Sequence, residues 1–242
     1  MSEQVKVTVE EGLTTISFDR AEKKNALTLA MYTAAAEAID EASAEGRCVV
    51  IGSTSEHFTA GNDLMDFMSN PPTGTDSPVY RFLMSLRRCE TPVLAAVDGF
   101  AIGIGTTLLF HCDLAWAKET AKFKMPFVDL GLVPEAGAST ILPAMVGHRK
   151  AAELLYFSDF FGADVAEEAG IINGVVDGDV MGFVTQMAHE LADKPAEALR
   201  LTKGLLRQSD DARVEAAMEA EARLFVERLQ SEEFMKVVAS FQ

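Results

Sequence analysis

Apolar and polar residues alternate along residues 5–9 (VKVTV) and again along 13–18 (LTTISF), with an EEG turn between them. Period-two alternation on both sides of a short glycine turn predicts a β-hairpin. Over residues 28–44 the spacing changes: Leu29, Tyr32, Ala36 and Ile39 recur at helical intervals, Thr28 suits the N-cap and Gly46 the stop. Cys48-Val49-Val50-Ile51-Gly52 then reads as a buried strand. A polar, proline-rich loop (SNPPTGTDSP) leads to a helix around 80–89, a strand over 93–97, a glycine turn, a helix near 105–111 and a strand over 114–118. This repeated rhythm of strands and helices predicts an α/β fold.

After Ala188 the pattern is helical throughout. In DARVEAAMEAEARLFVERLQ, Val214, Ala217, Met218, Glu221, Leu224, Phe225 and Leu229 fall largely along one stripe. Such a stripe covers either the chain's own core or a neighbouring subunit. The change of character sets an expected division into a core over 1–187 and a helical region over 188–242.

Composition narrows the partners. With 242 residues, 48% of them hydrophobic, the chain can bury one large core. A formal charge of -16 disfavours nucleic acid and anionic membrane as partners, so any anionic ligand needs a local basic cluster. The apolar runs fall well short of the roughly 20 residues that span a bilayer. The amino terminus lacks the apolar core of a signal peptide, and the final SFQ is not an SKL-type address. A soluble protein of the cytoplasm is the expectation. Cys48, Cys89 and Cys112 show no metal-ligand spacing and read as small buried hydrophobes, so no metal is expected.

Three stretches can carry chemistry. In HFTAGNDL (57–64), Gly61 permits a tight turn after the strand at 48–52, and Asn62 or Asp63 can cap a following helix. In VDGFAIGIGTTLL (97–109), glycines precede an apolar helix whose free amides and dipole favour negative charge. It matches neither GxxxxGK[ST] nor GxGxxG. In MPFVDLGLVPEAGAS (125–139), Pro134 suits the first position of a helix and Glu135 its first turn. His57 and His111 read as hydrogen-bonded structural histidines, and Asp129 as a surface or capping acid.

These stretches in this order, with DRAEKKNAL near the start and GIINGVV later, resemble the enoyl-CoA hydratase/isomerase (crotonase) family over nearly the whole chain. The resemblance implies a crotonase-like spiral of ββα turns, a C-terminal helical region used in assembly and in closing the site, and a homotrimer or dimer of trimers. It also implies an acyl-CoA thioester substrate, with no cofactor beyond the coenzyme A that the substrate carries. Two backbone amides would hold the enolate oxyanion. By position these are Asn62 and Ile104, and the Ile104 side chain is expected to point away from the oxyanion, into the acyl pocket.

The resemblance also separates branches. Hydratases carry two glutamates, and their positions hold Thr107 and Phe127 here. What remains is Glu135. Together with GNDL and the PP-containing loop, this arrangement resembles the Δ3,Δ2-enoyl-CoA isomerases typified by peroxisomal enzymes of fatty acid β-oxidation. Glu135 would then be the single base, made stronger by desolvation among Phe127, Val128, Leu130, Leu132 and Val133. Ala26, Ala60, Gly61, Asp63, Leu64 and Phe127 are the expected substrate contacts. Arg20, Lys23 and Lys24 are the expected phosphate ligands, and Phe234 and Lys236 would close the site. A hydratase with Asp129 as partner to Glu135, and a non-catalytic acyl-CoA-binding protein, are the competing expectations.

Overall fold

The computed structural model describes residues 2–240, apart from the side chain of Glu45. Strands β1 (Val5–Glu10) and β2 (Leu13–Phe18) form the expected antiparallel hairpin, turning at Glu11 and Gly12 with positive φ. Helix α1 (Leu29–Glu45) starts where Thr28 Oγ1 accepts the Met31 amide and returns the chain to β3 (Cys48–Ser53), parallel to β2. Every residue of β3 from Cys48 to Gly52 is buried, so the strand lies inside two layers and reads as a continuous apolar run.

Asp63 caps α2 (Leu64–Ser69), and Ser77 caps α3 (Pro78–Arg88). Strand β4 (Val93–Val97) adds to β3 in parallel. The next turn contains β5 (Phe100–Ile102) and α4 (Ile104–Thr107), which tightens into a 3-10 turn over Leu108–His111. Strand β6 (Leu114–Lys118) returns to the main sheet, and β7 (Lys122–Lys124) pairs with β5. After α5 (Ala138–Tyr156), β8 (Phe161–Gly162) and α6 (Ala163–Glu168), β9 (Gly174–Val176) completes a six-stranded sheet ordered β1-β2-β3-β4-β6-β9. A second sheet, β5-β7-β8, stands apart from it. Both sheets, the helices between strands and the helical C-terminal region make up the expected α/β architecture.

Helices α7 (Val180–Ala192), α8 (Ala196–Gln208), α9 (Asp211–Leu229) and α10 (Glu232–Ala239) end the chain. The division expected at 187/188 falls inside α7. That helix buries Val180, Val184 and Ala188 against Cys48, Val50, Leu94 and Ala96, on one face of the main sheet. Of the stripe on α9, Val214, Met218 and Phe225 join the large core on the other face, so this stripe covers the chain's own core. Each such side chain contributes roughly 1.5–3 kcal/mol by leaving water. No helix among the described residues is long and apolar enough to cross a membrane.

Candidate active site

The turn at residues 59–62 and the segment 99–105 lie side by side. Thr59 and Ala101 form a parallel bridge: the Thr59 amide donates to Phe100 O (2.8 Å) and the Ile102 amide to Thr59 O (3.0 Å). Leu27 and Asn62 form a second bridge, which ties the Asn25-Ala26-Leu27 segment to the same turn. Two glycines permit this approach. A Cβ on Gly61 would sit 2.8 Å from Ile102 O, and one on Gly105 would sit 2.6 Å from Thr59 Cγ2.

Gly103, with φ 57, turns the chain into α4, so Ile104 is the first residue of a helix. Its amide has no partner within the helix, and the amide of Asn62 donates to no protein acceptor among the described residues. Ala60, Gly61, Asn62, Leu64, Ile102, Gly103, Phe127 and Phe234 line a cavity of about 150 Å³ beside these amides. The Ile104 side chain, expected to point into an acyl pocket, is wholly buried in the core and does not line this cavity.

Glu135 is also buried, at 7% exposure. The helix expected to begin at Pro134 begins four residues later, at Ala138, for a reason that lies in the backbone. Ala136 (φ 63) and Gly137 (φ 71) are left-handed, so the chain makes a tight reversal before α5 and Glu135 precedes the first turn. The Glu135 side chain faces an apolar cavity of about 40 Å³ bounded by Phe67, Val79, Leu83, Met218 and Phe225. Its Oε1 is buried with no partner among the described residues. Burial first, and then the charge of Glu221, push its carboxyl up to about 8. Desolvation was expected, but from the wrong residues: the apolar shell comes from α2, α3 and α9, while Val128 is 48% exposed. Phe67 and Phe225, in edge contact at 6.5 Å, line both cavities.

The basic residues divide. Lys23 and Lys24 are exposed at the rim, with Lys24 Nζ lying 5.1 Å over the Phe100 ring. Arg20 is not free for phosphate, because its guanidinium pairs with Asp63 at 2.6 Å and donates to Ala26 O at 2.8 Å. Asp63 is thereby a scaffold residue and lies outside the cavity wall: it caps α2 and holds Arg20, and that pairing and the α2 amides lower its carboxyl against its burial. Lys236 points to solvent and pairs with Glu232, and only Phe234 of the expected closing pair reaches the cavity. Asp129, unexplained by pattern, pairs with Lys124 at 3.0 Å. At the hydratase positions, Thr107 and Phe127 are both buried.

Three further side chains complete the site. Tyr32, legible only as a core position of α1, donates its hydroxyl to Asn62 Oδ1. Its phenol is raised well above the usual range, by burial and then by the Glu135 charge. His111 sits in the core with its ring pushed down to about 3 by burial, so it is neutral and its Nε2–H donates to Ala136 O at 2.8 Å. Glu221 of α9 is 5% exposed and accepts the amides of Gly137 (2.6 Å) and Ser139 (2.9 Å). An acid inside an apolar stripe was the one signal that marked it.

The enoyl-CoA hydratase/isomerase family profile matches residues 8–242. Among curated proteins, the chain is 33% identical over 251 residues to enoyl-CoA delta isomerase 2 of Rattus norvegicus, covering 99% of this chain but 63% of that protein. The chain therefore spans less than two thirds of that relative. It is 33% identical to crotonyl-CoA hydratase of Syntrophomonas wolfei, over 89% of this chain and 86% of that protein. Among solved structures, Pseudomonas aeruginosa OdaA superposes with a TM-score of 0.97 at 42% identity, covering 100% of this chain and 99% of that one.

Proposed function

Because the chain belongs to the enoyl-CoA hydratase/isomerase family, we propose that it isomerises a 3-enoyl-CoA to the 2-trans-enoyl-CoA with Glu135 as its only acid–base group. The observation that carries this reading is the buried Glu135 carboxyl, raised to about 8, with one oxygen left unpartnered among the described residues beside an apolar cavity. The thioester oxygen would lie between the Asn62 and Ile104 amides, which accept the negative charge that develops as Glu135 removes a proton from C2. The dienolate so formed spreads charge to C4, and protonated Glu135 returns the proton there. The bond between C2 and C3 gains double-bond character as that between C3 and C4 loses it, and no water is consumed.

Two observations favour isomerisation over hydration. Water activation and protonation of the neighbouring carbon ordinarily occupy two carboxylates. Asp129 is paired with Lys124 and 47% exposed, which removes it as the second. Glu221 is occupied by two backbone amides. A non-catalytic binding protein is disfavoured because a carboxyl buried without partners destabilises a fold that gains nothing from it.

Lys24 and Lys124, over the rings of Phe100 and Phe160, mark a cationic and aromatic rim suited to the anionic coenzyme A moiety. Exposed Leu201, Leu205 and Leu206 on α8 support assembly of copies, as a trimer or dimer of trimers.

The test is direct. Purified protein is mixed separately with a 3-enoyl-CoA and a 2-trans-enoyl-CoA, and the conjugated thioester and the 3-hydroxyacyl product are quantified. Conversion of the first ester without hydration of the second, lost in Glu135→Gln, is expected. Fast hydration that survives Glu135→Gln would sink the reading.

A further inference from the structure

Helix α5 opens without a cap of its own. Its N-cap position is Gly137, which has no side chain to accept the free amides. The missing acceptor comes from 82 and 84 residues away, where Glu221 Oε1 takes the Ser139 amide and Oε2 the Gly137 amide. On the other side of the same reversal, His111 Nε2 holds Ala136 O. Glu135 thus hangs from a left-handed alanine whose backbone is held from both directions. A left-handed conformation at a non-glycine residue persists only where its surroundings fix it.

From this geometry we propose that Glu221 is the positioning residue of the site: its carboxylate clamps the Ala136-Gly137 reversal and so fixes where the Glu135 carboxylate points. The proposal rests on the isomerase reading of Glu135 and adds a part for the C-terminal region, because α9 supplies the clamp. The same α9 supplies Met218 and Phe225 to the wall of the Glu135 cavity. One helix therefore sets both the direction of the base and the shape of the space it faces.

A cap that served only α5 would also be lost on substitution, so stability alone does not separate the two roles. Charge and clamp do. The titratable groups facing Glu135 are Glu221 from α9 and Tyr32 from α1, while His111 on the adjoining carbonyl is neutral. Glu221→Gln removes the neighbouring negative charge and one of the two acceptors. Glu221→Asp keeps the charge but draws it back by one methylene.

Initial rates with a 3-enoyl-CoA across pH should show kcat falling roughly 10- to 100-fold in both variants with KM within about twofold, since misaiming a base affects the reacting state. The rise of kcat/KM with pH should move lower by roughly one unit in Glu221→Gln and stay near its wild-type position in Glu221→Asp. Variants that unfold more easily yet keep wild-type kcat and the wild-type pH limb would overturn the proposal.

A second readout needs no turnover. In 13C-glutamate-labelled protein, the carboxyl resonance missing from Glu135→Gln is titrated in wild type and in Glu221→Gln. A lower midpoint in the variant supports the proposal and an unchanged one overturns it. Failure of the wild-type protein to turn over any 3-enoyl-CoA would refute the isomerase reading instead, and this titration would still decide the contact.

Discussion

Replacing Glu135 by Gln should stabilise the protein, and the gain should grow with pH. Burial raises the Glu135 carboxyl from 4.5 to about 8. Below pH 4.5 the group is neutral in folded and unfolded chains alike, and folding is unaffected by its titration. Between 4.5 and about 8 the unfolded chain has released this proton while the folded chain retains it, so stability falls as pH rises. Each pH unit in that window removes about 1.4 kcal/mol, so moving from pH 5.5 to 7.5 removes about 3 kcal/mol. Gln cannot ionise and escapes this loss.

The pH-independent effect of placing an amide in the cavity cancels when the two proteins are compared at both values. For a chain of this size about 3 kcal/mol corresponds to a shift in Tm of roughly 5 to 10 °C. Thermal unfolding of both proteins by circular dichroism at pH 5.5 and 7.5 reads it. The difference in Tm should be larger at 7.5 by that amount, and an equal difference at both values would refute the burial argument.

Other consequences follow from the same site. With the Glu135 carboxyl at about 8, kcat/KM for a 3-enoyl-CoA should climb with pH toward a plateau, with its midpoint near pH 8, as a stopped-flow pH series would measure. Tyr32→Phe removes the hydroxyl that holds Asn62 Oδ1 and should lower kcat/KM about tenfold through a misplaced amide, with little change in Tm. Arg20→Ala strands Asp63 in a site where both side chains are under 15% exposed, and should cost about 3 kcal/mol in urea unfolding.

The parts of this protein governed by local rules were readable in the chain. The hairpin at 5–18 announces itself by alternation, Thr28 and Asp63 cap the helices they precede, and β4 begins and ends where the apolar run does. The second sheet was not readable. Its strands hold two or three residues each, too few for any period to emerge, and they exist because β5, β7 and β8 pair across gaps of sequence.

The candidate site divides in the same way. Gly61, Asn62, Gly103 and Glu135 stood out because glycines and a carboxylate in apolar surroundings are visible in order along the chain. The start of α5 was misplaced because proline and glutamate favour a first helical turn locally, whereas the left-handed Ala136 is held by His111 and Glu221. The basic residues looked alike in sequence. Only packing shows that Arg20 is consumed by Asp63 while Lys24 stands free at the rim.

The central claim is that one carboxylate carries a proton from C2 to C4. It is tested most directly with a 3-enoyl-CoA deuterated at C2, turned over once in ordinary water and analysed by mass spectrometry. The account predicts a 2-trans-enoyl-CoA that retains deuterium at C4, formed by the wild-type protein and absent with Glu135→Gln. A water adduct as the product, or the same labelled isomer made by Glu135→Gln at an undiminished rate, would contradict it.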